Sequence, residues 1–245
     1  MGGGMMMMMS GGVWRRRPLY WAIAGLVLAA LAVSFAVVDY LDELELAAAP
    51  GQTVSPPEGA VSLKINVAKR TLEVYDDGRL HKTYRVAVGK SNTPTPFGEW
   101  KVVWKDYNWG TGFGTRWMGL NVPWGTFGIH GTNKPWSIGS FASHGCIRMR
   151  NRDVEELFEW VRIGTPVFIE GGRTRVTRVL KYQSVGPDVV LAQLKLKELG
   201  YLDSRADGIY GLVTEEAVKR FQRDRGLEEN GVLGPEALTA LGVKP

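Results

Sequence analysis

Between Val61 and Val88 polar and apolar residues alternate with a period of two, and no other feature constrains the fold as strongly. In Ser62-Leu63-Lys64-Ile65-Asn66-Val67 and again in Thr71-Leu72-Glu73-Val74-Tyr75, every second side chain is apolar. Successive side chains of a strand point to opposite faces, so such runs bury one face of a sheet. Asp77-Gly78 supplies a hairpin turn before a third run, Lys82-Thr83-Tyr84-Arg85-Val86-Ala87-Val88. Gly98 to Trp104 reads as another strand. The stretch from Tyr107 to Trp124 is rich in Gly and Trp with little periodicity and reads as long loops. Further on, Asn151 and Asp153 suit a helix start, and Val154, Leu157, Phe158 and Val161 fall at helical spacing. Thr165 to Ile169 returns as a strand, and Gly171-Gly172 closes the segment. The pattern predicts a β-rich domain over 61–172 with one helix covering part of the sheet.

The period changes beyond a short linker at 173–183. In residues 184–243, Val189, Val190, Leu191, Leu194, Leu196 and Leu199 mark a helix ending near Gly200. Thr214 opens a second, with Ala217, Val218 and Phe221 on one face, and a third follows Pro235. Two Gly-x-x-Gly turns, Gly208 to Gly211 and Gly231 to Gly234, each lead into a helix and form a weak internal repeat. A small all-α, three-helix domain follows.

At the other end, residues 1–17 are low in complexity and finish in Arg15-Arg16-Arg17. An uncharged apolar run from Pro18 to Val38 comes next, close to the roughly 20 residues that span a bilayer. Trp14, Tyr20 and Trp21 suit the interface, and the arginines belong on the cytoplasmic side. The expectation is a single-pass transmembrane helix at 18–38 and a Pro- and Ala-rich linker at 39–60, with everything after Val38 extracytoplasmic. A cleaved signal peptide is the alternative, but the apolar stretch is longer than the usual 7–15 residues. The net charge of +5 is mild. No basic helix with interleaved aromatics points to nucleic acid, whereas an anionic wall or membrane suits the balance.

The chain holds one cysteine, Cys146, which therefore has no internal disulfide partner. A lone cysteine is commonly a small buried hydrophobe. Here it follows a glycine, has His144 two residues before it and His130 sixteen before it, and is flanked by Ser, Gly and Arg. That is the composition of a thiol acyl-transfer site. Imidazole can take the thiol proton to leave an ion pair, and the amides around Gly145 and Cys146 are placed to hold an oxyanion. Spacing alone leaves His130 and His144 both open as the base. Ser143 suits a hydrogen bond within the loop, and Arg148 either a substrate carboxylate or an internal salt bridge. Carboxylates show no metal-ligand spacing, no further Cys is present, and no phosphate-binding Gly loop appears, so neither metal nor cofactor is implied.

His130-Gly131-Thr132 followed by Ser143-His144-Gly145-Cys146-Ile147-Arg148-Met149 resembles the active-site signature of the L,D-transpeptidase catalytic domain. Thr93-Pro94-Thr95-Pro96-Phe97-Gly98 resembles that family's Thr-Pro-x-Gly-type loop. The resemblance covers about 61–170. It implies a sandwich-like β fold, Cys146 as nucleophile and His130 as general base. Gly131 would orient the imidazole through its carbonyl, and Ser143, His144, Gly145 and Arg148 would shape the site. It also implies cross-linking of peptidoglycan stem peptides through a cysteine thioester, in cell-wall biosynthesis and shape. Water as acceptor would make an L,D-carboxypeptidase instead, and a non-catalytic wall-binding scaffold is a further alternative.

Leu199-Gly200-Tyr201, Asp207-Gly208-Ile209-Tyr210-Gly211 and Ala217 to Gln222 resemble the small helical peptidoglycan-binding domain. It would act as a tether, dispensable for action on small soluble peptides. The expected location is the bacterial cell membrane, with both domains at the wall.

Overall fold

The structure, a computed structural model, describes residues 55–172 and 174–243. The expected cytoplasmic segment at 1–17, the transmembrane helix at 18–38 and the linker up to residue 54 lie outside those residues. Among the described residues, no helix is long and apolar enough to cross a membrane.

The first strands follow the alternation: β1 (Val61–Asn66), β2 (Thr71–Asp76) and β3 (Arg79–Arg85) form an antiparallel meander. Its β2–β3 turn has positive φ at both Asp77 and Gly78, as a two-residue hairpin requires. The third expected strand ends early at Arg85, and Val88–Gly89 forms a separate short β4. Then come β5 (Gly98–Tyr107), β6 (Arg116–Leu120), β7 (Phe127–His130), β8 (Phe141–Ser143), β9 (Ile147–Arg148) and β10 (Pro166–Glu170). One sheet runs β3-β2-β1-β10-β5-β6-β7-β9, and β4 pairs with β8 beside it.

The expected sandwich takes a particular form. Both halves of the sandwich are one hydrogen-bonded sheet joined through β5, whose register shifts between Val102 and Trp104. Leu63, Ile65, Leu72 and Val167 from one half share a single core with Met118, Leu120, Ile129 and Ile147 from the other. Helix α1 (Asn151–Trp160) adds Val154, Leu157 and Phe158 to that core. The expected loops over 107–124 contain β6. Trp117, Met118, Gly119 and Leu120 are all buried, and a strand covered on both faces loses the alternation that would reveal it.

The helical module comprises α2 (Pro187–Glu198), α3 (Leu212–Asp224) and α4 (Pro235–Ala240) around its own core. Its internal repeat is real in hydrogen bonds. The Gln193 amide accepts from Gly208 N–H (2.8 Å) and donates to the Ile209 carbonyl (3.1 Å) and Asp207 Oδ1 (3.2 Å). Gln222 does the same for the second turn, accepting from Gly231 N–H (2.8 Å) and donating to the Val232 carbonyl and Asn230 Oδ1 (2.9 Å each).

Two boundaries differ from expectation. Within the expected linker 173–183, Val176 and Leu180 are buried in the module core, and Leu180 exchanges backbone bonds with Leu233 (3.1 and 2.9 Å). Val190 and Ala206, both in the module, belong instead to the core of the sheet domain.

Candidate active site

The site is built at one end of the sheet, where β7 and β9 run parallel. Ile129 pairs with Ile147 and His130 with Arg148. Ile129 and Ile147 are fully buried in the core, so His130 and Arg148 face the other side of the sheet. One step earlier on that side the ladder sets Cys146 toward Gly128. Gly128 leaves the floor open: a Cβ there would meet Trp117 Cζ2 at 2.6 Å and the Met118 carbonyl at 2.8 Å.

His130 is 2% exposed. Its ring stacks on Trp117 (centroids 5.4 Å, 20° between planes) and takes Phe113 edge-on (5.0 Å). Trp104 and Trp109 extend this aromatic group behind Trp117. His130 Nδ1 lies 2.5 Å from the Gly131 carbonyl. A carbonyl only accepts, so Nδ1 carries the hydrogen, and Nε2 is the lone-pair nitrogen of the neutral ring. Gly131 is held in turn: its N–H donates to the Arg116 carbonyl (3.2 Å), and the next N–H, of Thr132, donates to Asn151 Oδ1 (3.0 Å). Asn151 lies so close to Gly131 and Gly114 that a Cβ at either would meet its Oδ1 at 2.2 Å. Sequence reasoning took Asn151 only as a helix start. Its brace across to the His130 loop spans 19 residues and leaves no local signal.

The cysteine turn is held by Ser143, which is fully buried. Its hydroxyl accepts from Gly145 N–H (3.0 Å) and donates to the Cys146 carbonyl (2.6 Å). The Ser143 carbonyl accepts from Lys90 N–H and from the Thr93 hydroxyl, each at 3.1 Å. Gly145 has φ +115, and a Cβ there would meet the Phe127 ring at 2.6 Å, so no other residue fits without displacement. One expectation is corrected here. The Gly145 amide, offered to an oxyanion, is already engaged by Ser143. The N–H groups of His144 and Cys146 make no hydrogen bond among the described residues. The His144 side chain is exposed.

Burial acts on both members of the pair. It is the largest influence on Cys146 and pushes the thiol above its ordinary range, while Gly128's backbone and Arg148 pull weakly the other way. It is also the largest influence on His130, lowering it to about 4 against upward pulls from the Gly131 and Phe113 carbonyls. Each charged form is disfavoured by desolvation. Desolvation thus works against the thiolate–imidazolium ion pair that the residue types suggest. Arg148 is half-buried. It reaches the Ala142 carbonyl at 3.5 Å, its Nε has no partner, and no carboxylate pairs with it among the described residues.

Residues 60–169 match the family described as L,D-transpeptidase catalytic domain, and 185–241 match one described as "Putative peptidoglycan binding domain". A Bacillus licheniformis protein, "Putative L,D-transpeptidase YkuD", is 49% identical over 107 residues, which is 44% of this chain and 64% of that protein. The Bacillus subtilis "Putative L,D-transpeptidase YqjB" is 36% identical over 131 residues, 47% of this chain and 74% of that protein. The NMR structure of the catalytic domain from an E. faecium L,D-transpeptidase is 26% identical with a TM-score of 0.40, covering 49% of this chain and 100% of that one. The chain thus spans 64% of the length of the B. licheniformis relative.

Proposed function

The chain belongs to the L,D-transpeptidase family, and on that premise we propose that it cross-links peptidoglycan stem peptides by acyl transfer through Cys146. One observation carries the reading: the sole thiol shares a sheet face with a buried histidine whose Nδ1–H is spent on the Gly131 carbonyl, which leaves Nε2 as the base. The donor is a stem peptide whose third, diamino residue is followed by a terminal D-amino acid.

Nε2 of His130 takes the thiol proton as sulfur attacks the donor carbonyl. The C–S bond forms, and the carbonyl electron pair moves to oxygen. The Cys146 and His144 amides are the unengaged donors beside that oxygen. Collapse breaks the C–N bond, and the imidazolium returns its proton to the leaving D-amino acid amine. A side-chain amine of a second stem then attacks the thioester and gives its proton to His130; the C–S bond breaks, and the thiolate takes that proton back from the imidazolium. Arg148, without a carboxylate partner, offers a cation to a substrate carboxylate. The helical module binds the wall. The apolar run at 18–38 anchors the enzyme, with Arg15 to Arg17 in the cytoplasm and the domains outside.

The test is incubation of the protein with purified stem peptides, followed by mass analysis of protein and products. A thioester adduct on Cys146 and a cross-linked peptide are expected. Shortened peptide without cross-link would replace the transferase reading with a carboxypeptidase, and no turnover at all would leave only a wall-binding scaffold.

A further inference from the structure

Two loops support the cysteine turn from behind, and both are in the grip of the helical module. The first, residues 93–98, gives the Thr93 hydroxyl to the Ser143 carbonyl (3.1 Å) and ends at Gly98-Glu99. Glu99 meets the module three ways. Its N–H donates to the Ala206 carbonyl (3.1 Å), and its Oε2 accepts from Ala206 N–H (3.1 Å) and from Lys197 Nζ (2.9 Å). Gly98 has φ +136, and a Cβ there would stand 3.0 Å from the Ala206 carbonyl. The second loop, between β6 and β7, carries Trp124 and leads into Phe127, whose ring lies against Gly145. Trp124 rests on the module at Gly208: a Cβ there would meet its Cζ3 at 2.4 Å. On its other side Trp124 takes Trp100 edge-on at 5.4 Å.

The ion pair is half-sheltered, with Glu99 18% and Lys197 28% exposed. Val190 and Ala206 complete the sheet domain's core. These are the contacts of a docked unit, whereas a tether on a flexible linker would show exposed polar surfaces on both sides. The internal repeat sharpens the point. Gly208 and Gly231 hold equivalent places, both with φ +70, and each is held by a buried glutamine. Only Gly208 faces the sheet domain; Gly231 faces Glu215 and Lys219 within the module.

We propose that Glu99 and Trp124 are positioning residues for the cysteine turn, and that the helical module, docked on them, is a structural part of the acyl-transfer site. The expected dispensable tether is revised accordingly. The proposal rests on the acyl-transfer reading for its kinetic consequence, but its geometric content concerns the Cys146 thiol alone.

The test uses the full chain. Gly208→Ala places a methyl against Trp124, and also close to Val190 and the Gly186 carbonyl, whereas Gly231→Ala places it, at the same φ, against Glu215 and Lys219 within the module. Two readouts are taken: the pH profile of Cys146 alkylation by iodoacetamide, and kcat and KM on a soluble stem peptide. Displacement of reacting groups by a fraction of an ångström costs large factors, so Gly208→Ala is expected to lower kcat about tenfold. KM should change by less than about twofold, since no module residue touches the small peptide. The alkylation midpoint should shift in the same variant. Gly231→Ala should match wild type in both readouts. Equal effects from the two glycine variants would overturn the proposal. If Gly208→Ala does not fold, Lys197→Met, which removes the charge facing Glu99 and the bond to the Ser204 carbonyl, takes its place, and an unaltered alkylation profile there overturns it equally. A wild-type protein that alkylates as described but transfers no acyl group would defeat the transpeptidase reading and leave the positioning to stand on alkylation alone.

Discussion

The helical module and the cysteine end of the sheet both bury polar side chains to hold glycine turns, and they treat the remaining hydrogen-bonding capacity differently. In the module, Gln193 and Gln222 are almost fully buried, and both ends of each amide are matched to their turn. Such a closed network specifies shape and nothing more. At the cysteine end, Ser143 and Asn151 likewise brace the backbone. But Arg148 Nε is buried without a partner, and the His144 and Cys146 amides make no bond among the described residues. Buried polar groups are nearly always satisfied, so the open capacity beside the sole thiol sets this end of the sheet apart from the module.

The contrast breaks most visibly at the thiol. Cys146→Ala should reduce acyl transfer by about a thousandfold or more while the melting temperature stays within about 2 °C of wild type. A stable variant with retained turnover would remove the chemistry from this end of the sheet altogether.

Protonation offers a second break. Folded His130 stays neutral down to about 4, whereas in the unfolded chain it takes a proton near 6.5. Between those values the unfolded state binds more protons, so stability falls as pH falls from about 6.5 to about 4, by about 3 kcal/mol in all. Urea melts across that window should show the loss, and His130→Gln should flatten it. An unchanged slope in the variant would mean that His130 is not held neutral by burial.

The closed network predicts the reverse behaviour. Gln222→Leu strands the Gly231 N–H and the Val232 carbonyl and should cost about 2 kcal/mol of stability in urea unfolding. Because that turn faces away from the sheet domain, kcat on a soluble peptide should not move. A kinetic defect there would show that the two regions are less distinct than their bonding suggests. The smallest effect belongs to the exposed Lys195–Glu198 pair: Lys195→Ala should change stability by no more than about 0.5 kcal/mol. A larger loss would mean that surface charge, not the buried glutamines, sets the module's stability.

Much of this was readable from local pattern. Alternation located β1, β2 and β10, because each buries one face only. Helical spacing located α1 and the module, and the signature residues led to the strand pair that carries the site. β6 escaped because both of its faces are covered. β8 and β9 escaped because three and two residues are too few to show a period. Asn151, Glu99 and Trp124 escaped because each works through a partner distant in the chain: Asn151 through Thr132, Glu99 through Ala206 and Trp124 through Gly208.

Residue types and their spacing were enough to establish the sheet, the helical repeat, the sole thiol and the histidines available to it, because those properties are local and survive in any fold that honours the pattern. The tertiary fold alone separated the environments of the histidines, burying His130 behind Trp117 and leaving His144 exposed. It also buried the thiol and imidazole away from water, committed the Gly145 amide to Ser143, and set the helical module against the loops behind Cys146. Desolvation, hydrogen-bond occupancy and domain contact depend on which distant segments meet, and no local pattern records that.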